Sequence, residues 1–161
     1  MALWRLYYHF VWVTKNREPL IDLNKENDLH NYIVGKADSL KCIIHDINGT
    51  SNHIHLITSV PPILAISEFV KNIKGSSAYY INHTLSPAAK NFRWQAGYGV
   101  FSLGHKQLEQ AVTYVENQKI HHKEGTVISI LEQESEQDDQ PERLHWALSG
   151  SFPKSPRPPG N

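Results

Sequence analysis

His53-Ile54-His55 opens an apolar run that continues to Val60. Side chains on a strand alternate faces, so the two histidines project the same way, roughly 7 Å apart. Two neutral imidazoles aimed at one point are a natural ligand pair for a divalent metal. Further along, Tyr114 and Gln118 stand four apart, close enough on a helix to share a face at roughly 5–6 Å. A metal pair, a phenol and one more oxygen ligand suit a tyrosine nucleophile attacking a phosphodiester. The cation polarises the phosphate and steadies the leaving oxygen. The phenol, with an ordinary pKa of about 10, needs positioning and partial deprotonation before it attacks. A phosphotyrosine product keeps the energy of the broken bond, so a later 3′-hydroxyl can reverse the step and join strands. Water as nucleophile discards that option.

Spacing alone leaves blander readings open. One histidine buried in a sheet and one at its surface would satisfy the same alternation. Tyr114 can be a core aromatic, although it lies beside the Leu108, Ala111, Val115 stripe, in line with Gln107, Gln118 and His121. His121 and His122 are either further ligands or cations favoured by a helix C-terminus. Lys15, Arg17, Lys71, Lys74 and Arg93 are candidates for phosphate contacts, and each is equally compatible with solvated surface. Gly75, inside a helical pattern, hints at close approach by another backbone or a nucleic-acid strand.

The elements that would position these residues follow from periodicity. Residues 3–14 read as a strand, with Trp4, Leu6, Tyr8, Phe10 and Trp12 on one face and Arg5, Tyr7 and His9 on the other. A helix is expected over residues 22–40, with Leu29, Tyr32, Ile33 and Leu40 inward. Residues 41–60 form two strands about Asn48-Gly49, the pair that a type I′ turn requires. That turn would set Cys42 opposite His55 and Ile44 opposite His53. A second helix covers residues 65–82, a strand residues 99–103, and a last helix residues 105–123. The order describes an α+β, ferredoxin-like (RRM-like) antiparallel sheet with helices on one face and a C-terminal helix carrying the tyrosine.

The 161 residues suit one compact domain with a tail. Lys and Arg number sixteen and Asp and Glu sixteen, giving zero net charge. The balance is uneven: residues 1–131 carry 13 basic against 10 acidic side chains, and residues 132–161 carry 3 against 6. A mildly basic body permits a nucleic-acid partner without demanding one. Residues 1–131 are therefore read as the catalytic domain and residues 132–161 as an acidic, then Pro-rich flexible tail. The single Cys42 excludes an internal disulfide and a thiolate metal site. No secretory signal or membrane span is read, so a cytoplasmic protein is expected.

Five segments together resemble a known family, the single-tyrosine HUH transposases of bacterial insertion sequences and their relatives associated with repetitive extragenic palindromes. They are Tyr8-His9-Phe10-Val11-Trp12-Val13-Thr14-Lys15-Asn16-Arg17, Asn52-His53-Ile54-His55-Leu56-Ile57, Ile73-Lys74-Gly75-Ser76-Ser77, Phe92-Arg93-Trp94-Gln95-Ala96-Gly97-Tyr98-Gly99-Val100-Phe101-Ser102, and Tyr114-Val115-Glu116-Asn117-Gln118-Lys119-Ile120-His121-His122. The resemblance implies metal ligation by His53 and His55, completed by Gln118, with Mg²⁺ or Mn²⁺ as the ion and Tyr114 as nucleophile. It implies cleavage and rejoining of single-stranded DNA beside hairpins through a 5′-phosphotyrosine. Family members work as homodimers sharing the tyrosine helix in trans or as monomers, and both arrangements stay open here. Two rival readings are a non-catalytic ferredoxin-like module that binds hairpin nucleic acid and a metallo-nuclease that uses water. The acidic tail has no counterpart in the family pattern.

Overall fold

The computed structural model describes residues 2–120. His121, His122, the expected end of the last helix and the segment 132–161 lie outside the described residues. Within them, β1 (Tyr7–Val13), α1 (Leu23–Ser39), β2 (Ile43–Gly49), β3 (His53–Ser59), α2 (Ile66–Tyr80), β4 (Gly99–Leu103) and α3 (His105–Glu116) follow in that order. The sheet runs β2-β3-β1-β4 and every pairing is antiparallel. This is the ferredoxin-like arrangement, with β3 between β1 and β2 and β1 between β3 and β4.

Local chemistry explains most of these elements. Phe10 and Trp12, two apart on β1, are both fully buried against the helices. Asp22 caps α1 by accepting from the backbone N–H groups of Asn24 and Lys25, each at 3.1 Å. Leu29, Ile33 and Ala37 then recur at helical spacing and are buried. Phe69, Val70, Ile73 and Ser77 do the same on α2. These residues join Ile54 and Leu56 of β3 in one core. Each such large apolar side chain contributes about 1.5–3 kcal/mol by leaving water.

The last helix takes the other side. Ala111, Tyr114 and Val115 of α3 pack with Ile57, flanked by Leu103, Leu108 and Val112. The sheet thus lies between α1 and α2 on one face and α3 on the other. All seven residues of β3 are buried as a result.

The hairpin differs from its expected form. Asn48 and Gly49 end β2 and pair with His55 and Ile54, so they are not the turn. Ile44 pairs with Thr58, and Cys42 precedes the strand. The chain reverses through Thr50, Ser51 and Asn52, closed by the Thr50 N–H donating to the His53 carbonyl at 3.1 Å. Those turn residues also bind neighbouring loops: the Asn52 carbonyl accepts from Thr14 N–H at 2.8 Å and the Ser51 carbonyl from Ile21 N–H at 2.9 Å. That bonding rewards a longer turn, and a bulge at His45 absorbs the offset. Glycine is needed at position 49 for space, because a Cβ there would overlap the His53 carbonyl. At Gly75 a Cβ would meet nothing within 4 Å, so no close backbone approach among the described residues explains that glycine.

The irregular segment before β4 is tied down by polar bonds. Asn82 pairs with both backbone groups of Phe92 at 2.9 Å, and Trp94 Nε1–H donates to Ser77 Oγ at 3.0 Å. Lys74 Nζ donates to the carbonyls of Gln95 and Gly97, both at 2.7 Å. Burial pushes that ammonium down to about 8. No helix among the described residues is long and apolar enough to cross a membrane.

Gly49→Ala should cost about 1–3 kcal/mol of stability in urea unfolding, from overpacking against backbone that cannot yield. Lys74→Met should cost about 1–3 kcal/mol by stranding two carbonyls. The exposed Lys71→Met should stay within about 0.5 kcal/mol of the parent in the same melts.

Candidate active site

The site is built from β3, β1 and α3. His53 and His55 project to the α3 face of the sheet, with ring centroids 5.2 Å apart and nearly perpendicular planes. Both are buried, at 4% and 0% exposure. Burying two imidazoles costs free energy unless their nitrogens are satisfied. His53 Nδ1 lies 2.8 Å from both Thr50 Oγ1 and Asn52 Oδ1. The Asn52 amide is oriented by its Nδ2 donating to the Arg17 carbonyl at 3.3 Å, which turns Oδ1 toward the imidazole. An amide oxygen only accepts, so His53 Nδ1 carries the proton and Nε2 the lone pair. That is the tautomer a metal ligand requires.

His55 has a different neighbour. Its Nδ1 is 2.7 Å from His9 Nε2, with the two rings stacked 5.0 Å apart. With both Nδ1 atoms committed to the protein, a cation would be met through Nε2 of each ring.

The arrival of Tyr114 follows from lengths. α3 begins beside the start of β1, where Tyr7 Oη is 3.5 Å from His105 Nδ1, and runs back along the sheet. Nine residues of helix from His105 to Tyr114 rise about 13.5 Å. Four residues of strand from Tyr7 to Val11 span about 13 Å, and Val11 pairs with His55. Tyr114 therefore comes level with His55, and their rings sit 6.3 Å apart, edge to face. The phenol ring is 6% exposed and packs with Ala111, Val115 and Ile57. One further turn reaches Gln118, which is fully buried. The segment carrying it is docked at this end of the sheet. Asn48, the partner of His55 across the β2–β3 ladder, donates through Nδ2 to the Glu116 carbonyl at 3.0 Å. Lys119 Nζ reaches Asn48 Oδ1 at 2.9 Å and Glu26 Oε1 at 2.6 Å.

This donor set fits a divalent ion. No group of three or more His, Cys, Asp or Glu converges among the described residues. The buried Gln118 would offer a neutral oxygen as a third ligand. Two neutral imidazoles and an amide oxygen are ordinary nitrogen and oxygen donors for a divalent ion, with no thiolate among them.

The basic candidates separate into two groups. Lys15, Arg17 and Arg93 are exposed and meet at the His53 end of the sheet. Backbone bonds bring them there: Lys15 N–H donates to the Arg93 carbonyl at 2.9 Å, and Asn16 N–H to Gln95 Oε1 at 3.0 Å. Asn16 and Arg17 both adopt left-handed backbone, with φ of 55°. Lys71 is exposed on α2, and the Lys74 ammonium is engaged by the two carbonyls described above. Gln107, in line with Tyr114 by helical spacing, caps α3 through Oε1 accepting from Gly104 N–H at 2.9 Å.

Three site residues were not foreseen from sequence: His9, Thr50 and Asn52. A histidine on the face of β1 opposite Phe10 and Trp12 was the available signal for His9. Thr50 and Asn52 gave none, because the turn was placed two residues early.

The chain is similar to proteins of one known family. Residues 2–118 match the family described as Transposase IS200 like (Y1_Tnp). The ISDra2 transposase TnpA of Deinococcus radiodurans is 31% identical over 133 residues, spanning 72% of this chain and 86% of the relative. The transposase for insertion sequence element IS200 of Salmonella typhimurium is 24% identical over 131 residues, spanning 79% and 86%. A crystal structure of a Deinococcus radiodurans protein described as a transposase superposes with a TM-score of 0.58 at 25% identity, covering 73% of this chain and 93% of that one. A REP-associated tyrosine transposase bound to a REP hairpin superposes at 0.56 with 18% identity, covering 79% and 76%, and shares the fold. The chain therefore belongs to the IS200-like family of tyrosine transposases, enzymes that cleave DNA and transfer its strands.

Proposed function

We propose that this protein cuts and rejoins single-stranded DNA beside hairpins, with Tyr114 as nucleophile and a divalent cation, Mg²⁺ or Mn²⁺, held by His53, His55 and Gln118. The observation that carries the reading is the 6.3 Å approach of the Tyr114 ring to His55, itself edge-on to His53. Hairpin DNA as substrate is supported by the family and by the hairpin in the REP-associated relative of the same fold.

Tyr114 Oη attacks the phosphorus in line with the departing sugar oxygen. The P–O3′ bond breaks, a 5′-phosphotyrosine forms, the phenol proton leaves to solvent and the released 3′-oxygen gains one. A second 3′-hydroxyl attacking the phosphotyrosine restores the phenol and seals a new junction. When bound, the cation supplies charge neutralisation at the scissile phosphate. His53 and His55 would hold it through Nε2, with Thr50, Asn52 and His9 fixing their rings. Lys15, Arg17 and Arg93 form a basic rim at the His53 end, positioned for backbone phosphates on either side of the cut. The α3 helix rests on its own sheet, so the reading includes attack in cis.

Tyr114→Phe should bind a labelled hairpin strand with wild-type affinity yet form no denaturation-resistant adduct. Its cleavage should fall on the order of 10⁴-fold or more. Cleavage persisting in Tyr114→Phe would mean that water is the nucleophile. Chelation should abolish cutting while leaving hairpin affinity, because phosphate contacts dominate binding. An equimolar mixture of Tyr114→Phe and His55→Ala should stay inactive, since neither chain carries a complete site. Activity restored by mixing would place the tyrosine in trans.

A further inference from the structure

His9 lies outside the ligand set, yet it touches one of its members. It is 1% exposed on the α3 face of β1, two strand positions from the pairing partner of His55. The ladder pairs His9 with Ile57 and Val11 with His55, so the two histidines are diagonal neighbours on one face. Phe101 of β4, directly opposite His9, holds its other flank with rings 6.0 Å apart. The imidazole is thus packed from two strands with Nε2 directed at His55 Nδ1, at 2.7 Å.

We propose that His9 is a positioning residue for the metal site: its Nε2 accepts the Nδ1–H of His55 and so fixes His55 as an Nε2 ligand. The inference rests on the metal-dependent reading above. Two imidazoles joined nitrogen to nitrogen share one proton between them, and only one placement makes His55 a ligand through Nε2. His55 must then carry its proton on Nδ1, and His9 must present a bare Nε2. The pair mirrors the other ligand, where Asn52 and Thr50 take the Nδ1–H of His53. Each ligand thereby has its own acceptor, one from the hairpin turn and one from the neighbouring strand. Partners of this kind commonly set metal affinity by orienting the ring and raising its basicity.

The test uses the full chain stripped of metal. Mn²⁺ uptake is followed by the loss of the free-ion electron paramagnetic resonance signal in wild type, His9→Leu and His9→Gln. His9→Leu removes the acceptor and should weaken Mn²⁺ binding by about 10–100-fold. His9→Gln restores an oxygen at the Nε2 position and should recover most of that loss. Affinity for a hairpin strand in excess chelator should be equal in all three. A His9→Leu protein that binds Mn²⁺ like wild type overturns the role. So does a His9→Gln protein as weak as His9→Leu, or a parallel loss of metal-free hairpin binding, which would indicate a merely structural pair. Should His9→Leu fail to fold, long-range proton–nitrogen spectra of the wild-type histidines decide. Protonated Nδ1 on His55 with bare Nε2 on His9 supports the proposal, and the reverse placement overturns it. Wild type that takes up no Mn²⁺ even with a hairpin strand bound removes the metal site itself, and is distinguishable because all variants would then read alike.

Discussion

Everything at the site depends on the pleat of one strand that is buried on both faces. Along β3, Ile54 and Leu56 point into the core under α1 and α2, while His53, His55 and Ile57 point toward α3. A slip of one residue would exchange these sets and drive both imidazoles into the apolar core. The penalty for that exchange fixes the register. Phe10 and Trp12, opposite Leu56 and Ile54, make the same demand from β1. The shared orientation of the two histidines is therefore a by-product of hydrophobic packing on the far side of the sheet.

Tyr114 arrives through a second constraint, the length of α3. Its start is fixed by the end of β4 and the Gly104–Gln107 cap, and helix and strand rises then bring Tyr114 level with His55. The apolar contacts that dock α3 are fewer than those under α1 and α2. Its far end is fastened by Asn48 and by the half-exposed Lys119–Glu26 pair, and surface pairs contribute about 0–1 kcal/mol each. Among the elements touching the site, α3 is consequently the least costly to shift. That suits a helix whose tyrosine is 6% exposed here and, under the proposed mechanism, would have to meet a phosphate.

The parts of this architecture legible in sequence were those written by local periodicity. The aromatic face of β1, the Asp22 cap, the stripes of α1 and α2, and the shared face of His53 and His55 each need only a few neighbouring residues. The turn was not legible, because Asn48-Gly49 is a strong local signal for a two-residue loop. Bonds from Thr14 and Ile21, distant in sequence, outweighed it by fastening Asn52 and Ser51 in a longer one. The placement of α3 on the opposite face from α1 and α2 is likewise tertiary, since an amphipathic helix does not state which side of a sheet it will cover. His9 belongs to the same class. Its own segment marks it as a polar residue on a half-polar face, and only the β1–β3 register joins it to His55. The basic residues show the converse limit. Charge marked Lys74 and Arg17 alike, while the fold turns one ammonium onto backbone carbonyls and sets the other residue on an exposed loop beside the hairpin turn.

The chemistry of the proposed ligand set bears on how metal and DNA would act together. His53, His55 and Gln118 are neutral donors, and no group of three or more His, Cys, Asp or Glu converges among the described residues. A divalent cation at such a site keeps its full charge, in contrast to one cancelled by two carboxylates. Three neutral ligands alone hold a hard cation weakly, because it surrenders hydration without gaining a formal negative partner. A phosphodiester oxygen supplies that missing charge. Binding of either partner then strengthens the other by the same factor, as linkage requires. The cation would concentrate at the site when DNA is already in place, and its undiminished charge would fall on the bond that Tyr114 attacks. Under the proposed mechanism, neutral ligation would thus couple cofactor capture to substrate capture without a dedicated regulatory element, using three side chains whose only requirement is correct orientation.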